Sequence, residues 1–367
     1  MYPRNAIFRH DNADATSYTP QMFYTYRAER GENTDKRLET MPKTPDQQAT
    51  QPTSPKSSPK AWTHKRHLLD TEDLAADEAM CIMEQTAEFK RTAEHKKAFP
   101  SLSSKTVATV FYENSTRTRS SFELATKRLG AQLINLDVNT SSVTKGETLR
   151  DTARTLISMG ADAIIQRHSA SGSAHLLAKM LGDQVSVVNA GDGWHAHPTQ
   201  ALLDLFTMLE SRPQLQGAKV TIVGDILHSR VARSNISLLK KFGVEIHVAG
   251  PPTLVPPLLT ELGVIRHSEL DSALDGADFV IALRLQMERQ QQGLITSIGE
   301  YQKLYRLDHA RLRNASKNVR VLHPGPSNRG VEITDALHDD KEISLINAQV
   351  ANGVLVRMAV LYLLLNE

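Results

Sequence analysis

Cysteine is almost missing: Cys81 is the only one in 367 residues. A single thiol cannot close an internal disulfide, and a cysteine-rich metal site cannot be built. Cys81 lies in a helical-looking stretch, 75–88, and reads as a small buried apolar residue. An excess of charge of one sign is also missing. The formal net charge is +2, too balanced to point to nucleic acid or a membrane surface, so neither partner is expected. Local basic clusters then carry more meaning than the total. No apolar run is expected to span a bilayer. The first residues hold no apolar signal-peptide core, and no solenoid repeat is present. No Ser-His-Asp arrangement is visible, and no carboxylate is obviously placed as a general base. His195 and His197 stand two apart in a loop rather than on one helix face, a poor fit for a zinc pair. No metal is expected.

What is present divides the chain. Residues 1–60 are poor in aliphatic side chains, and 42–60 is dense in Pro, Ser, Thr, Gln and Lys. Such a segment cannot bury enough surface to offset its ordering entropy, so a disordered extension is expected. An organelle transit peptide is the alternative, but Asp11, Asp14, Glu29, Glu32 and Asp35 make the region acidic for one.

From about Ala61, short apolar runs alternate with helical patterns. Val107–Phe111, Gln132–Leu136, Ala163–Ile165 and Val185–Val188 read as strands. A helix at Pro198–Glu210 precedes a second series: Val220–Val223, Glu245–Val248, Phe279–Leu283 and Val319–Leu322. Ser344–Leu365 reads as a long apolar helix. Continuous apolar strands separated by helices argue for parallel sheets covered on both faces. The predicted fold is α/β, with two doubly wound parallel-sheet domains and a cleft between them. The C-terminal helix is expected to return to the first domain. The expected boundaries are 61–197 plus 352–367 for the first domain, and 198–351 for the second.

The loops after the strands are unusual, and such loops carry the ligands in open α/β sheets. Ser115-Thr116-Arg117-Thr118 follows the first strand and opens a helix marked by Phe122, Ala125 and Leu129, with Gly130 as its stop. Helix N-termini favour anions, and three hydroxyls and an arginine add donors that match phosphate oxygens. Capping alone needs one hydroxyl. Thr140–Thr148 carries Lys145 beside Gly146, a weak signal by itself. Arg167 stands at the end of the third strand, facing the cleft. His197 precedes Pro198, which fits the first turn of the next helix and puts His197 near the N-cap. In the second series, Gly224–Arg230 is another strand-to-helix turn, but it lacks the full dinucleotide glycine pattern. Arg284–Arg289 and His323-Pro324-Gly325-Pro326 follow later strands. Arg117, Lys145, Arg167, Arg230 and Arg284 together imply at least two bound anionic groups.

In order along the chain, these motifs resemble the catalytic chain of the aspartate carbamoyltransferase family, within the aspartate/ornithine carbamoyltransferase superfamily. The resemblance runs from about His64 to the C-terminus. It is carried by Phe-x-Glu-x-Ser-Thr-Arg-Thr at 111–118, Lys145-Gly146-Glu147-Thr148, Arg167-His168 and His197-Pro198-Thr199-Gln200. Gly224-Asp225 through Arg230, Arg284-x-Gln286-x-x-Arg289 and His323-Pro324-x-Pro326 complete it. The wording at Ser229–Asn235 is nearer the bacterial and cyanobacterial form. Asn114 stands where proline is frequent, and Leu227 where lysine is common.

The resemblance implies transfer of a carbamoyl group from carbamoyl phosphate to L-aspartate, the committed step of pyrimidine biosynthesis, with no cofactor. It implies that Ser115, Thr116, Arg117 and Thr118 bind phosphate, and that Arg167 bridges phosphate and carbonyl oxygen. His197, Gln200 and the backbone at Pro324 and Gly325 would face the carbamoyl group. Arg230, Arg284 and Gln286 would hold the aspartate carboxylates. Ser141 and Lys145 would enter a neighbouring chain's site, making a homotrimer. Larger assemblies with regulatory or other pyrimidine-pathway chains are a further expectation. Glu113 would pair with Arg230 or Arg289 on domain closure. A cytoplasmic location is expected, with plastid import through the extension as the alternative. Two rivals remain: an ornithine carbamoyltransferase, and a non-catalytic homologue acting as a binding subunit.

Overall fold

The computed structural model describes residues 62, 65–136, 146–285 and 293–366. The expectations for the extension at 1–60 and for Ser141, Lys145, Gln286 and Arg289 lie outside the described residues.

The first half runs α1 (Ala76–Glu94), β1 (Thr106–Phe111), α2 (Thr116–Arg128), β2 (Gln132–Leu136), α3 (Leu149–Ser158), β3 (Ala163–His168), α4 (Ser173–Leu181), β4 (Ser186–Asp192) and α5 (Pro198–Ser211). The second runs β5 (Lys219–Val223), α6 (Arg230–Lys240), β6 (Glu245–Ala249), β7 (Ile265–His267), α7 (Leu270–Leu274) and β8 (Phe279–Ala282). It ends with α8 (Ile298–Tyr305), β9 (Arg320–Leu322), α9 (Asp335–His338) and α10 (Ile346–Leu365). The strands form two sheets, ordered β2-β1-β3-β4 and β7-β6-β5-β8-β9. Every pairing in both is parallel, as the continuous apolar runs require.

Alternation along the strands divides the core. Val107, Ala163 and Ile165 face one layer, and Ala108, Val110 and Ile164 face the other. The inner layer of the first sheet joins the inner layer of the second, Val220, Ile222 and Ile281, in one continuous core. Helix α5 is buried along most of its length, from Pro198 to Met208, and packs against α1, α6 and α10. It therefore fixes the site residues at its N-terminus against both halves.

The predicted helix stop at Gly130 is observed: its φ is +71°, a conformation that glycine adopts without steric cost. Strand β7 was not foreseen. It has three residues, all partly or fully exposed at the sheet edge, so no apolar run marks it. The third strand extends past Ile165 to His168, which puts Arg167 inside the sheet rather than beyond it.

The expectation that no apolar run could span a bilayer fails for α10, whose 20 residues pass by length and composition. Most of the helix is buried inside the protein against α1, α2 and α5. It also carries the buried Arg357, whose Nη1 donates to the Gly353 carbonyl at 2.9 Å and whose guanidinium lies 5.1 Å over the Phe122 ring. Its apolar surface is thus core surface, each buried Leu, Val or Met contributing about 1.5–3 kcal/mol.

Candidate active site

Each sheet reverses its strand order at one place, and ligands in such sheets bind outside the carboxyl ends there. In the first sheet that place lies between β1 and β3, in the second between β5 and β8. Ser115–Thr118 follow β1, and Arg167 is the penultimate residue of β3. Gly224–Arg230 follow β5, and Arg284 follows β8. The turns after β4 and β9 supply His197 and Pro324–Gly325.

Ser115 is the N-cap of α2, in extended conformation, yet its side chain makes no capping hydrogen bond. Thr148, Ser229, Ser297 and Thr334 do cap their helices. The first turn of α2 has no acidic residue either. The first N–H groups of this helix therefore receive no capping hydrogen bond from Ser115, an arrangement that suits an anion. Thr118 is buried, while Arg117 keeps an exposed flank.

The decisive geometry lies around Glu113. Arg167 Nη2 donates to Glu113 Oε1 at 2.6 Å, and Arg230 Nη2 donates to the same oxygen at 2.6 Å. Arg230 Nη1 also reaches Oε2 at 3.1 Å. One carboxylate from the first half therefore holds arginines from both halves. Of the partners expected for Glu113, Arg230 is found; Arg167 is an addition. Both guanidiniums are held from behind by main chain: Arg167 Nη1 donates to Ala190 O and Arg230 Nη1 to Gly193 O, each at 3.1 Å. Gly191 makes room for them. Its φ is +118°, and a Cβ there would lie 3.0 Å from Arg167 Nη1 and 3.1 Å from Arg230 Cζ.

His197 is the N-cap of α5, with Pro198 in the first helical turn. Its main-chain N–H donates to Ser234 Oγ at 2.9 Å, and its Nδ1 is buried without a hydrogen-bond partner. Burial and the charges of Arg167, Arg230 and Arg357 push its pKa well below the usual histidine value. The ring is neutral at neutral pH, able to donate one hydrogen bond without adding charge. Gln200 Nε2 donates to Asp204 Oδ1 at 2.9 Å, which commits the NH2 end of its amide and leaves the oxygen end to accept.

Asp204 was not singled out in the sequence. It is fully buried and also accepts from Asn235 Nδ2 at 2.8 Å and Gln349 Nε2 at 2.7 Å. Burial pushes its pKa up to about 6, against those hydrogen bonds. Gln349 in turn accepts from the His323 N–H at 2.9 Å. A chain of polar contacts thus joins Gln200 to the His323–Gly325 turn. Gly325, at φ +62°, lies flat against Arg117: a Cβ would sit 2.6 Å from its Cζ. Burial and the nearby charge of Arg284 hold the Arg117 pKa below its ordinary value, so the two guanidiniums lie close to one another. A signal for Asp204 did exist, because it is a carboxylate one helical turn after Gln200, flanked by Leu203 and Leu205.

Arg167 and Arg230 meet at Glu113 near His197, and Arg117 lies against Gly325 and close to Arg284, with Gln200 linked to that turn through Asp204 and Gln349. The arrangement can bind a phosphate-sized anion at α2 and a second anion at the other half, with neutral donors between. Two family models match the chain in the same order. "Aspartate/ornithine carbamoyltransferase, carbamoyl-P binding domain" covers residues 66–210, and "Aspartate/ornithine carbamoyltransferase, Asp/Orn binding domain" covers 216–364. The chain belongs to the aspartate/ornithine carbamoyltransferase family.

Within that family, the chain is 52% identical over 301 residues to an aspartate carbamoyltransferase catalytic subunit of Desulforudis audaxviator, spanning 82% of this chain and 97% of the relative. It is 49% identical over 319 residues to the catalytic subunit of Gloeobacter violaceus, spanning 84% and 97%. Among solved structures, it is similar to Trypanosoma cruzi aspartate transcarbamoylase in complex with carbamoyl phosphate and aspartate. That match has a TM-score of 0.74 at 29% identity, over 81% of this chain and 96% of the other. It is also similar to Pyrococcus furiosus ornithine carbamoyltransferase, with a TM-score of 0.72 at 30% identity over 82% and 97%. The carbamoyltransferase fold is therefore shared by both acceptor classes, and the acceptor must be argued from side chains.

Proposed function

We infer that this protein transfers the carbamoyl group of carbamoyl phosphate to the amine of L-aspartate, giving N-carbamoyl-L-aspartate and phosphate. The observation that carries this reading is the convergence of Arg230 and Arg284 from the second half on the anion-binding turn of the first. Two arginines suit a dicarboxylate and would repel a cationic ornithine. The catalytic-subunit relatives at about half identity support the same acceptor.

The neutral amine attacks the carbamoyl carbon, and negative charge grows on the carbonyl oxygen. Thr118, Arg167 and neutral His197 donate to that oxygen, a preorganised stabilisation of the kind that contributes several kcal/mol. Gln200 accepts from the carbamoyl NH2, with the backbone at Pro324 and Gly325 beside it. Ser115, Thr116, Arg117 and the helix N-terminus hold the phosphate. As the C–O bond breaks, the phosphate dianion takes the amine proton, so the site needs no separate base. Facing the two substrates across one cleft adds a proximity term.

The carbamoyl phosphate domain would comprise 61–197 with 352–367, and the aspartate domain 198–351, a boundary at the start of α5 where the carbamoyl-P binding family model instead runs on to residue 210; Gln286 would be among the aspartate ligands, with Arg289 assisting closure. Ser141 and Lys145 complete a neighbouring chain's site in a cytoplasmic homotrimer that supplies pyrimidine biosynthesis. Larger assemblies would build on that trimer. Arg117→Ala and Lys145→Ala chains should each be inactive and should regain activity when refolded together, because one mixed site holds both intact residues. No recovery would contradict the shared site.

The acceptor is tested by steady-state assays with each amino acid. Turnover of aspartate with ornithine inert is the expected result. Ornithine turnover with aspartate inert would overturn the reading, and turnover of neither would favour a non-catalytic homologue.

A further inference from the structure

Asp70, His175 and His195 come from three separate parts of the chain: the segment before α1, the first turn of α4, and the loop after β4. Each offers one ligand atom, and these atoms lie within 4.8 Å of one another. Asp70 is only 8% exposed. Its Oδ1 accepts from the N–H groups of Glu72 at 2.8 Å and Asp73 at 3.1 Å, which fixes the carboxylate. Its Oδ2 faces His175 Nε2 at 2.8 Å. The His175 and His195 rings meet edge to face, with centroids 5.3 Å apart.

His195 is oriented from behind. Its Nδ1 lies 3.1 Å from Asp192 Oδ2. Asp192 is buried and itself accepts from Gly172 N at 2.6 Å, Asn189 Nδ2 at 2.8 Å and Ala196 N at 3.0 Å. A fixed carboxylate accepting from one imidazole nitrogen sets the tautomer, and the other nitrogen then carries the lone pair. Metal-binding histidines are supported in this way.

We propose that Asp70, His175 and His195 bind a divalent transition-metal ion, zinc by preference, with a fourth position open to water. Two imidazoles and a carboxylate form a donor set suited to zinc. Bonds of about 2.0–2.1 Å in a tetrahedral site place ligand atoms roughly 3.3 Å apart. Side-chain rotation can bring the cluster to that spacing, with the Asp70–His175 pair opening from 2.8 Å and His195 closing in. The His175 ring can turn, because its Nδ1 has no hydrogen-bond partner. Both histidine side chains are about one-third exposed, at 35% and 36%, so an ion and its water have a path in.

The site stands behind the arginine pair, not within it. The loop that carries His195 also carries Gly193 O, which accepts from Arg230, and follows Ala190 O, which accepts from Arg167. A bound ion would brace that loop against α4 and the segment before α1. Sequence spacing had argued against a zinc pair at His195 and His197; the fold brings His195 to different partners.

The test uses the full-length protein, stripped with chelator and titrated with Co2+. Trp194, 45% exposed and adjacent to His195, reports by fluorescence quenching, and tetrahedral Co2+ reports by its visible bands. One Co2+ per chain is expected, displaced by Zn2+. His175→Ala and His195→Ala should each weaken binding by at least about tenfold, the loss typical even for residues that only support a ligand. Absence of both signals would overturn the proposal. Binding of equal strength in the double variant would also overturn it, moving the ion to the His247–His267 pair at the edge of the second sheet, where the ring nitrogens lie 2.7 Å apart. These readouts are independent of carbamoyl transfer, so failure here leaves the proposed activity untouched.

Discussion

Glu113→Gln keeps the size of the side chain and removes one charge. In the parent, Glu113 receives three hydrogen bonds from Arg167 and Arg230, at 2.6, 2.6 and 3.1 Å. Both arginines are nearly buried, at 8% and 5% exposure, while 19% of the Glu113 side chain remains in water. Hydrogen bonds to charged groups contribute about 1.5–3 kcal/mol each. Glutamine keeps one accepting oxygen, and solvent screens part of the pair. The net loss is therefore about 2–3 kcal/mol, or a Tm lower by roughly 4–12 °C for halves of this size. Scanning calorimetry checks it. A second readout separates charge from packing. Without the carboxylate, the two guanidiniums lose their internal anion, so inorganic phosphate measured by titration calorimetry should bind at least as tightly as in the parent. An unchanged Tm, or weaker phosphate binding, would refute the claim that Glu113 neutralises this pair.

Gly191→Ala places a methyl 3.0–3.1 Å from both guanidiniums at a φ of +118°, so a loss of about 1–3 kcal/mol with a sharp fall in turnover is expected from denaturation and rate assays. Asp204 gives a pH signature. Its carboxyl moves from 3.8 to about 6 on folding. A raised carboxyl favours the fold below its unfolded value, and that contribution is lost as pH rises through the folded value. Asp204 should therefore remove about 3 kcal/mol of stability between roughly pH 4 and pH 6.5. Asp204→Asn should flatten that part of the curve of unfolding free energy against pH, whereas parallel curves for parent and variant would contradict the assignment.

The regular parts of the molecule were legible because their physics is local. Val107–Phe111 and Val220–Val223 are apolar runs broken only by Thr109 and Thr221, and a strand buried on both faces needs little else. Gly130 and Pro198 mark helix ends through backbone geometry alone. Strand β7 escaped because its three residues sit at an edge and pair through backbone groups that leave no pattern in the side chains. The apolar composition of α10 was visible, but its burial depends on α1, α2 and α5, which lie far away in sequence. The same division holds in the candidate site. Ser115–Thr118 and His197 could be placed because each opens a helix. The double engagement of Glu113, the link from Gln200 through Asp204 to Gln349, and the meeting of Asp70 with His175 and His195 join residues remote in the chain. Only the fold determines such partners.

The central claim is that one cleft binds a phosphate at α2 and a dicarboxylate at Arg230 and Arg284 together. Titration calorimetry with a phosphonate joined to an aspartyl group tests it directly. One molecule per site is expected, bound far more tightly than phosphate or aspartate alone, with the advantage lost in both Arg117→Ala and Arg230→Ala. Binding no tighter than phosphate, or unchanged by Arg230→Ala, would contradict it.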